Sequence, residues 1–252
     1  MVPAKDRLRL AALGDVHCGK TAPANLPPLF AQAGDSADVL LLCGDLTDYG
    51  LPEEARAFAK VLTGAVKVPV VAVLGNHDYH SGKQDEVEQI LADAGVTVLN
   101  GTECEVHGVG FAGAKGFGGG FGRHVLAPWG EESAKRFVQE AIKEELKLEQ
   151  ALARLRAPQR VALLHYAPIR DTVEGEPPEI FAFLGCSRLE EPLNRYPVTA
   201  VFHGHAHHGR PEGRLRDNVP VYNVALPLLQ RTFPDRPPFR VVEIPVVPHP
   251  RL

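Results

Sequence analysis

Short apolar runs, each closed by glycine and polar residues, divide this chain into regular elements. Residues 8–13, 39–43, 68–74, 160–164 and 199–202 are nearly continuous in Val, Leu, Ala and Phe, and they predict strands covered on both faces. Helical spacing fills the intervals. Asn25 precedes prolines suited to a first turn, predicting a helix through residue 33 with Asn25 as its cap. Pro52-Glu53-Glu54 opens a second helix, with Ala55, Phe58, Ala59 and Leu62 on one side and acids at its positive end. Residues 85–94, 131–156 and 187–195 predict further helices, the long one carrying Phe137, Ala141, Leu148, Leu152 and Leu155 near helical spacing. Short strands are expected at 96–99 and 104–112, closing strands at 219–224 and 239–244, and a tail or edge at the proline-rich end. The rhythm of strand, helix, strand is that of an α/β protein.

The polar residues that end these strands carry the chemistry. Successive runs stop at Gly14-Asp15-Val16-His17, Gly44-Asp45-Leu46-Thr47-Asp48, Gly75-Asn76-His77-Asp78, the single His165, and His203-Gly204-His205-Ala206-His207-His208. In open α/β sheets, functional groups gather beyond the carboxyl ends of the strands, so these loops are expected to be neighbours. Carboxylate oxygens, imidazole nitrogens and one amide oxygen suit manganese, iron or zinc, and there are too many donors for one ion. Two ions sharing a ligand satisfy the count. A carboxylate can bridge them and a neutral imidazole cannot, so the shared ligand is expected to be an aspartate.

Composition narrows the classes. The 252 residues fit one large domain spanning 1–252, and the net charge of −4 offers no general attraction for nucleic acid. Cys18, Cys43, Cys104 and Cys186 lie far apart, which argues against a disulfide framework or a zinc ribbon and for a reducing cytoplasm. No apolar run approaches the ~20 residues of a membrane span, and the amino terminus lacks a signal-peptide core. Residues 108–113 match the dinucleotide-binding pattern letter for letter, but six glycines across 113–122 cannot start the helix which that pattern requires. That run is expected to be a mobile loop, with Phe117, Phe121, Arg123, His124 and Trp129 as a candidate rim for a substrate pocket.

Asp15-x-His17, Gly44-Asp45-x-x-Asp48, Gly75-Asn76-His77-Asp78, His165 and Gly204-His205-x-His207, in this order, resemble the motifs of the calcineurin-like metallophosphoesterases. Asp78 after Asn76-His77, and Tyr49 where protein phosphatases carry arginine, are closer in style to the cyclic-nucleotide-phosphodiesterase branch. The resemblance implies a four-layer α/β/β/α sandwich of two mixed sheets, with a dinuclear site at the carboxyl ends of the strands. It implies that Asp15, His17, Asp45 and His207 hold one metal and that Asp45, Asn76, His165 and His205 hold the other, Asp45 being the bridge. The cofactors would be two divalent or trivalent ions of manganese, iron or zinc. A hydroxide between them would attack phosphorus in line, His77 would protonate the departing oxygen, and Asp48 would orient His77. Asp78 is read as structural, His203 and His208 as outside the ligand set with His208 near substrate, and Tyr79, His80, Tyr166 and Arg170 as lining residues by position. The expected partner is a small phosphodiester or phosphomonoester. The alternatives are a scaffold of the same fold without catalysis, and a nuclease, against which the acidic balance argues.

Overall fold

The structure, a computed structural model, describes residues 6–246. Its first sheet takes β1 (Arg7–Leu13), β2 (Val39–Cys43), β3 (Val70–Val73) and β4 (Val96–Val98) in parallel, with β11 (Arg240–Pro245) antiparallel on the outer edge of β1. The second sheet has the order β5 (Thr102–Val106), β6 (Val109–Gly113), β7 (Gln159–Leu163), β8 (Ala200–His203), β10 (Pro220–Asn223) and β9 (Glu212–Arg214). Its four central strands are parallel and its two edge strands antiparallel, so both sheets are mixed.

Period-two burial divides each central strand between two cores. Leu40 and Leu42 face α1 (Leu26–Ser36), α2 (Pro52–Ala65) and α3 (Gln84–Asp93), where Phe30 and Phe58 meet edge to face at 5.6 Å. Val39, Leu41 and Cys43 face the other way, into a core shared with Val161, Leu163 and Phe202 of the second sheet. Beyond that sheet, Ala162 and Val201 pack under α4 (Glu132–Arg154) through Leu148, Ala151 and Leu152. Helices, sheet, sheet, helices is the expected four-layer sandwich, and strands flanked by two cores explain the unbroken apolar runs.

Several local expectations are corrected. The segment 104–112 is a hairpin rather than one strand, because His107 (φ 52°) and Gly108 (φ 81°) both adopt the left-handed conformation of a two-residue turn. Asn25 occupies the cap position of α1 but makes no capping hydrogen bond, whereas α2 is started by Glu54, whose carboxylate accepts from the Tyr49 and Leu51 amides at 2.8 and 3.3 Å. The glycine run is buried for most of its length instead of loose: Gly116 N donates to the buried Glu144, and Gly119 N to the Ala182 carbonyl. Residues 168–179 form two short 3₁₀ turns that lead into α5 (Phe181–Leu184), and the last helix before β8 is only α6 (Glu190–Arg195). Strand β9 and helix α7 (Leu226–Thr232) were not foreseen, and from residue 247 the proline-rich end lies outside the described residues. Among the described residues, no helix is long and apolar enough to cross a membrane.

Candidate metal centre

The loops that follow β1, β2, β3, β7 and β8 converge at one edge of the two packed sheets. Each approach is tight. A Cβ on Gly75 would lie 2.2 Å from Asp45 Oδ1 and 2.3 Å from Asp45 N, so only glycine lets the loop after β3 close on the loop after β2. The two loops are then tied by Asp78, fully buried, whose Oδ1 accepts from Thr47 N (2.8 Å) and Thr47 Oγ1 (2.6 Å) and whose Oδ2 accepts from Gly75 N (2.8 Å) and Leu46 N (3.2 Å). Burial, with the Asp45 charge adding to it, pushes the Asp78 carboxyl up to about 6 against the pull of these donors. This aspartate is structural, as its sequence position suggested.

Backbone strain marks the same residues. Asp15 (φ 58°), His17 (φ 48°), Asp45 (φ 50°) and His205 (φ 70°) all stand in the left-handed region that side chains other than glycine avoid. Such strain costs on the order of 1–2 kcal/mol per residue and persists where function requires it.

The donor atoms form two clusters joined by a third group that shares His17 with one and Asp45 with the other. Asp15, His17 and His207 make one group able to hold a metal ion, and Asp45, His165 and His205 make another. Asp45 also groups with His17 and His77, its Oδ2 lying 3.8 Å from His17 Nε2 and 3.4 Å from His165 Nε2. Asn76 belongs to the second cluster, its Oδ1 being 2.9 Å from His165 Nε2. Every expected ligand is therefore present in one place.

Hydrogen bonds fix which ring nitrogens face into the clusters. His165 Nδ1 donates to the Cys43 carbonyl (2.9 Å), which leaves Nε2 converging with Asp45 Oδ2 and Asn76 Oδ1. A proton on Nε2 can be shared with both oxygens, and a cation in its place would meet the same three atoms. Burial opposes charge on His165, but the Asp45 carboxylate outweighs it and pushes the imidazole up to about 9; the same contact overrides burial and holds Asp45 well below the usual carboxylate range. His205 Nε2 donates to the Phe183 carbonyl at 3.1 Å, and burial together with the His165 charge lowers this ring to about 4, so it is neutral with Nδ1 as its open lone pair. His207 Nε2 lies 2.9 Å from Asp15 Oδ1, whose hydrogen bond raises the ring's pKa, while burial lowers that of His17. The Nε2 of His17 is buried without a hydrogen-bond partner among the described residues, a costly orphan that a metal ion would satisfy. The residues present fit a metal-ion site.

His77 stands against this cluster, its ring 4.4 Å from that of His17 and its backbone amide donating to Asp45 Oδ1 at 2.8 Å. Asp48 meets His77 chiefly through its backbone. His77 Nδ1 donates to the Asp48 backbone carbonyl at 2.6 Å, whereas the Asp48 carboxylate lies 3.9 Å from that nitrogen and 3.7 Å from His17 Nδ1. Backbone acceptors such as the carbonyls of Asp48, Cys43 and Phe183 have no signature in sequence, because any residue type supplies them. His203 lies outside the clusters, buried and bonded through Nε2 to Thr172 Oγ1, and His208 is engaged by Arg231. The Tyr166 ring meets His205 at 4.4 Å, tilted by 50°; Tyr79 instead faces the buried Lys115, and Arg170 lies over Phe181.

Comparisons with known proteins agree with this geometry. No curated protein sequence matches the chain. Among solved structures, it resembles the phosphopantetheinyl hydrolase of Mycobacterium tuberculosis (TM-score 0.68, 16% identity, covering 94% of this chain and 96% of that one). It also resembles a Thermus thermophilus protein (0.57, 16%, 95% and 99%). A third match is a Staphylococcus aureus protein described as a putative 5'-nucleotidase (0.54, 15%, 86% and 48%). At these identities the likeness shows the fold alone. The sequence profile of the calcineurin-like phosphoesterases, however, matches residues 8–209, which include all the clustered ligands, and the chain belongs to that family.

Proposed function

We propose that the chain hydrolyses a small phosphoester at two metal ions, one held by Asp15, His17, Asp45 and His207 and the other by Asp45, Asn76, His165 and His205. The observation that carries this reading is the position of Asp45, whose carboxylate lies within 4 Å of an imidazole from each cluster. Bound ions supply Lewis acidity, acidifying water and neutralising charge on the phosphoryl oxygens. The protein's residues do the rest. The Asp48 carbonyl fixes the proton on His77 Nδ1 and leaves Nε2 as the free nitrogen, from which a protonated ring can donate to the departing oxygen. The Phe183 and Cys43 carbonyls hold the His205 and His165 rings in the tautomers that metal binding needs. Small phosphorylated molecules are also what the names of two structural relatives describe, which supports the substrate class.

The test is metal content and turnover measured on one sample, with Mn²⁺ and with p-nitrophenyl phosphate and bis(p-nitrophenyl) phosphate side by side. Turnover of at least one ester is expected, with Asp45→Asn losing both ions and activity. An Asp45→Asn protein that still binds two ions overturns the bridge. A metal-loaded parent protein that leaves both esters intact overturns hydrolysis and favours a scaffold.

A further inference from the structure

One cavity shares Phe183 with the surroundings of the metal centre and is built for something other than phosphate. It has a volume of about 530 Å³, within the range of small-molecule sites, and lies between the end of the glycine-rich loop, α4 and α5. Leu126, Trp129, Phe137, Val138, Ala182 and Phe183 form its apolar wall. Among the described residues, no lysine, arginine or histidine lines it, and the one charged lining residue is Glu131. An anionic group is therefore unwelcome there. Leu126, Trp129 and Phe183 are 42%, 77% and 60% exposed, so three of the seven large apolar side chains exposed among the described residues gather at this place. A concentration of apolar surface at the mouth of a cavity marks a binding surface.

Phe183 joins this cavity to the chemistry. Its side chain is part of the wall, and its backbone carbonyl accepts from His205 Nε2 at 3.1 Å. The wall thus begins one residue away from a ligand of the second cluster. Packed rings lie between the two places: His205 meets Tyr166 at 4.4 Å, Tyr166 meets Phe117 at 5.7 Å, Phe117 meets Phe137 at 4.9 Å, and Phe137 meets Phe183 at 5.9 Å.

We propose that this cavity seats the uncharged, apolar part of the substrate, so that the preferred substrate is a phosphoester of an apolar alcohol. The assignment rests on the hydrolytic reading above. It follows from Phe183, which lines the cavity with its side chain and holds His205 with its carbonyl, and from the lack of any cation among the described lining residues. A polyphosphorylated leaving group would place negative charge beside Glu131 and gain nothing from Trp129 or Phe137.

Two measurements test it. The first is kcat/KM for n-alkyl phosphates and n-alkyl p-nitrophenyl phosphates from methyl to octyl, on Mn²⁺-loaded protein. Burying each added methylene is expected to raise kcat/KM about fourfold over the first few carbons. Ala134→Phe, which fills the cavity from an exposed position of α4, is expected to reduce the octyl-to-methyl ratio at least tenfold. The second uses Trp129, the chain's single tryptophan, whose emission should shift to the blue when octyl phosphate binds to metal-free protein. Turnover that is flat with chain length, or an unchanged Trp129 emission, overturns the pocket assignment and leaves hydrolysis standing. No turnover in either series overturns the hydrolytic reading and the substrate class with it. A dimer in sedimentation whose formation alone shifts Trp129 would assign the surface to a second copy of the chain and overturn the proposal.

Discussion

Replacing Asp78 by alanine tests whether one buried carboxylate holds the two central loops of the site together. The substitution strands four donors, the amides of Leu46, Thr47 and Gly75 and the Thr47 hydroxyl, in a place where Asp78 and Thr47 have no solvent exposure. An orphaned buried donor costs ~1–3 kcal/mol. The hydroxyl can rotate and a water can enter the space, so the sum is held to roughly 4–6 kcal/mol. At ~2–4 °C per kcal/mol for a chain of this size, the melting temperature should fall by roughly 10–20 °C. Asp78→Asn keeps one oxygen but turns an amide NH₂ toward two of the donors, so it should recover about half of the loss at most. Thermal unfolding followed by circular dichroism in excess EDTA is the assay, because a metal that binds only the native state would add its own stabilisation. An Asp78→Ala protein that melts within 3 °C of the parent would refute the reasoning. The same result would show that the loops after β2 and β3 are positioned by their own conformations.

Three further outcomes follow from the site. His77→Ala should retain its metal by elemental analysis and lose ~10²–10⁴-fold in kcat, with a smaller loss on p-nitrophenyl than on alkyl esters, because a nitrophenolate leaves without a proton. Gly75→Ala places a methyl group 2.2 Å from Asp45 Oδ1 and should weaken metal binding ~10–100-fold in a chelator titration, while a variant with unchanged affinity would show that the close approach is dispensable. His17→Gly removes a left-handed histidine whose Nε2 has no partner, so in EDTA its melting temperature should be equal to or above the parent's although a metal ligand is gone; a fall of more than about 5 °C would mean that His17 is not strained.

The parts of the molecule that proved legible in sequence are those where one physical requirement dominates. Strands β2 and β3 had to be continuous apolar runs because each faces two cores, and the glycine that ends each run had to precede the polar residues the strand delivers. Elements fixed by weaker or longer-range terms were not legible. Strand β9 is three residues long and owes its existence to pairing with β10, and α7 begins where Leu226 N donates to the Gly14 carbonyl, a contact across more than 200 positions of sequence. The glycine run was read as loose because glycine favours disorder in isolation. In the folded chain the same absence of side chains lets it pass beneath α4 and α5 in close contact, with Gly119 bonded to Ala182.

Within the site, sequence revealed the donors but not the forces that hold them in place. Asp15, His17, Asp45 and His205 each sit at positive φ, a conformation that no local preference of aspartate or histidine would select. Glycine would relax each of these positions and would carry no ligand. The strain is sustained by the cores on either side of each strand and by bonds made between loops: Asp15 accepts from the amide of His205, Asp45 from the amide of His77, and Asp78 ties Thr47 to Gly75. Each of these carboxylates bonds to a loop other than its own, so the loops constrain one another, and no single motif could form this geometry alone. That interdependence explains how motifs that are individually common become specific as a set.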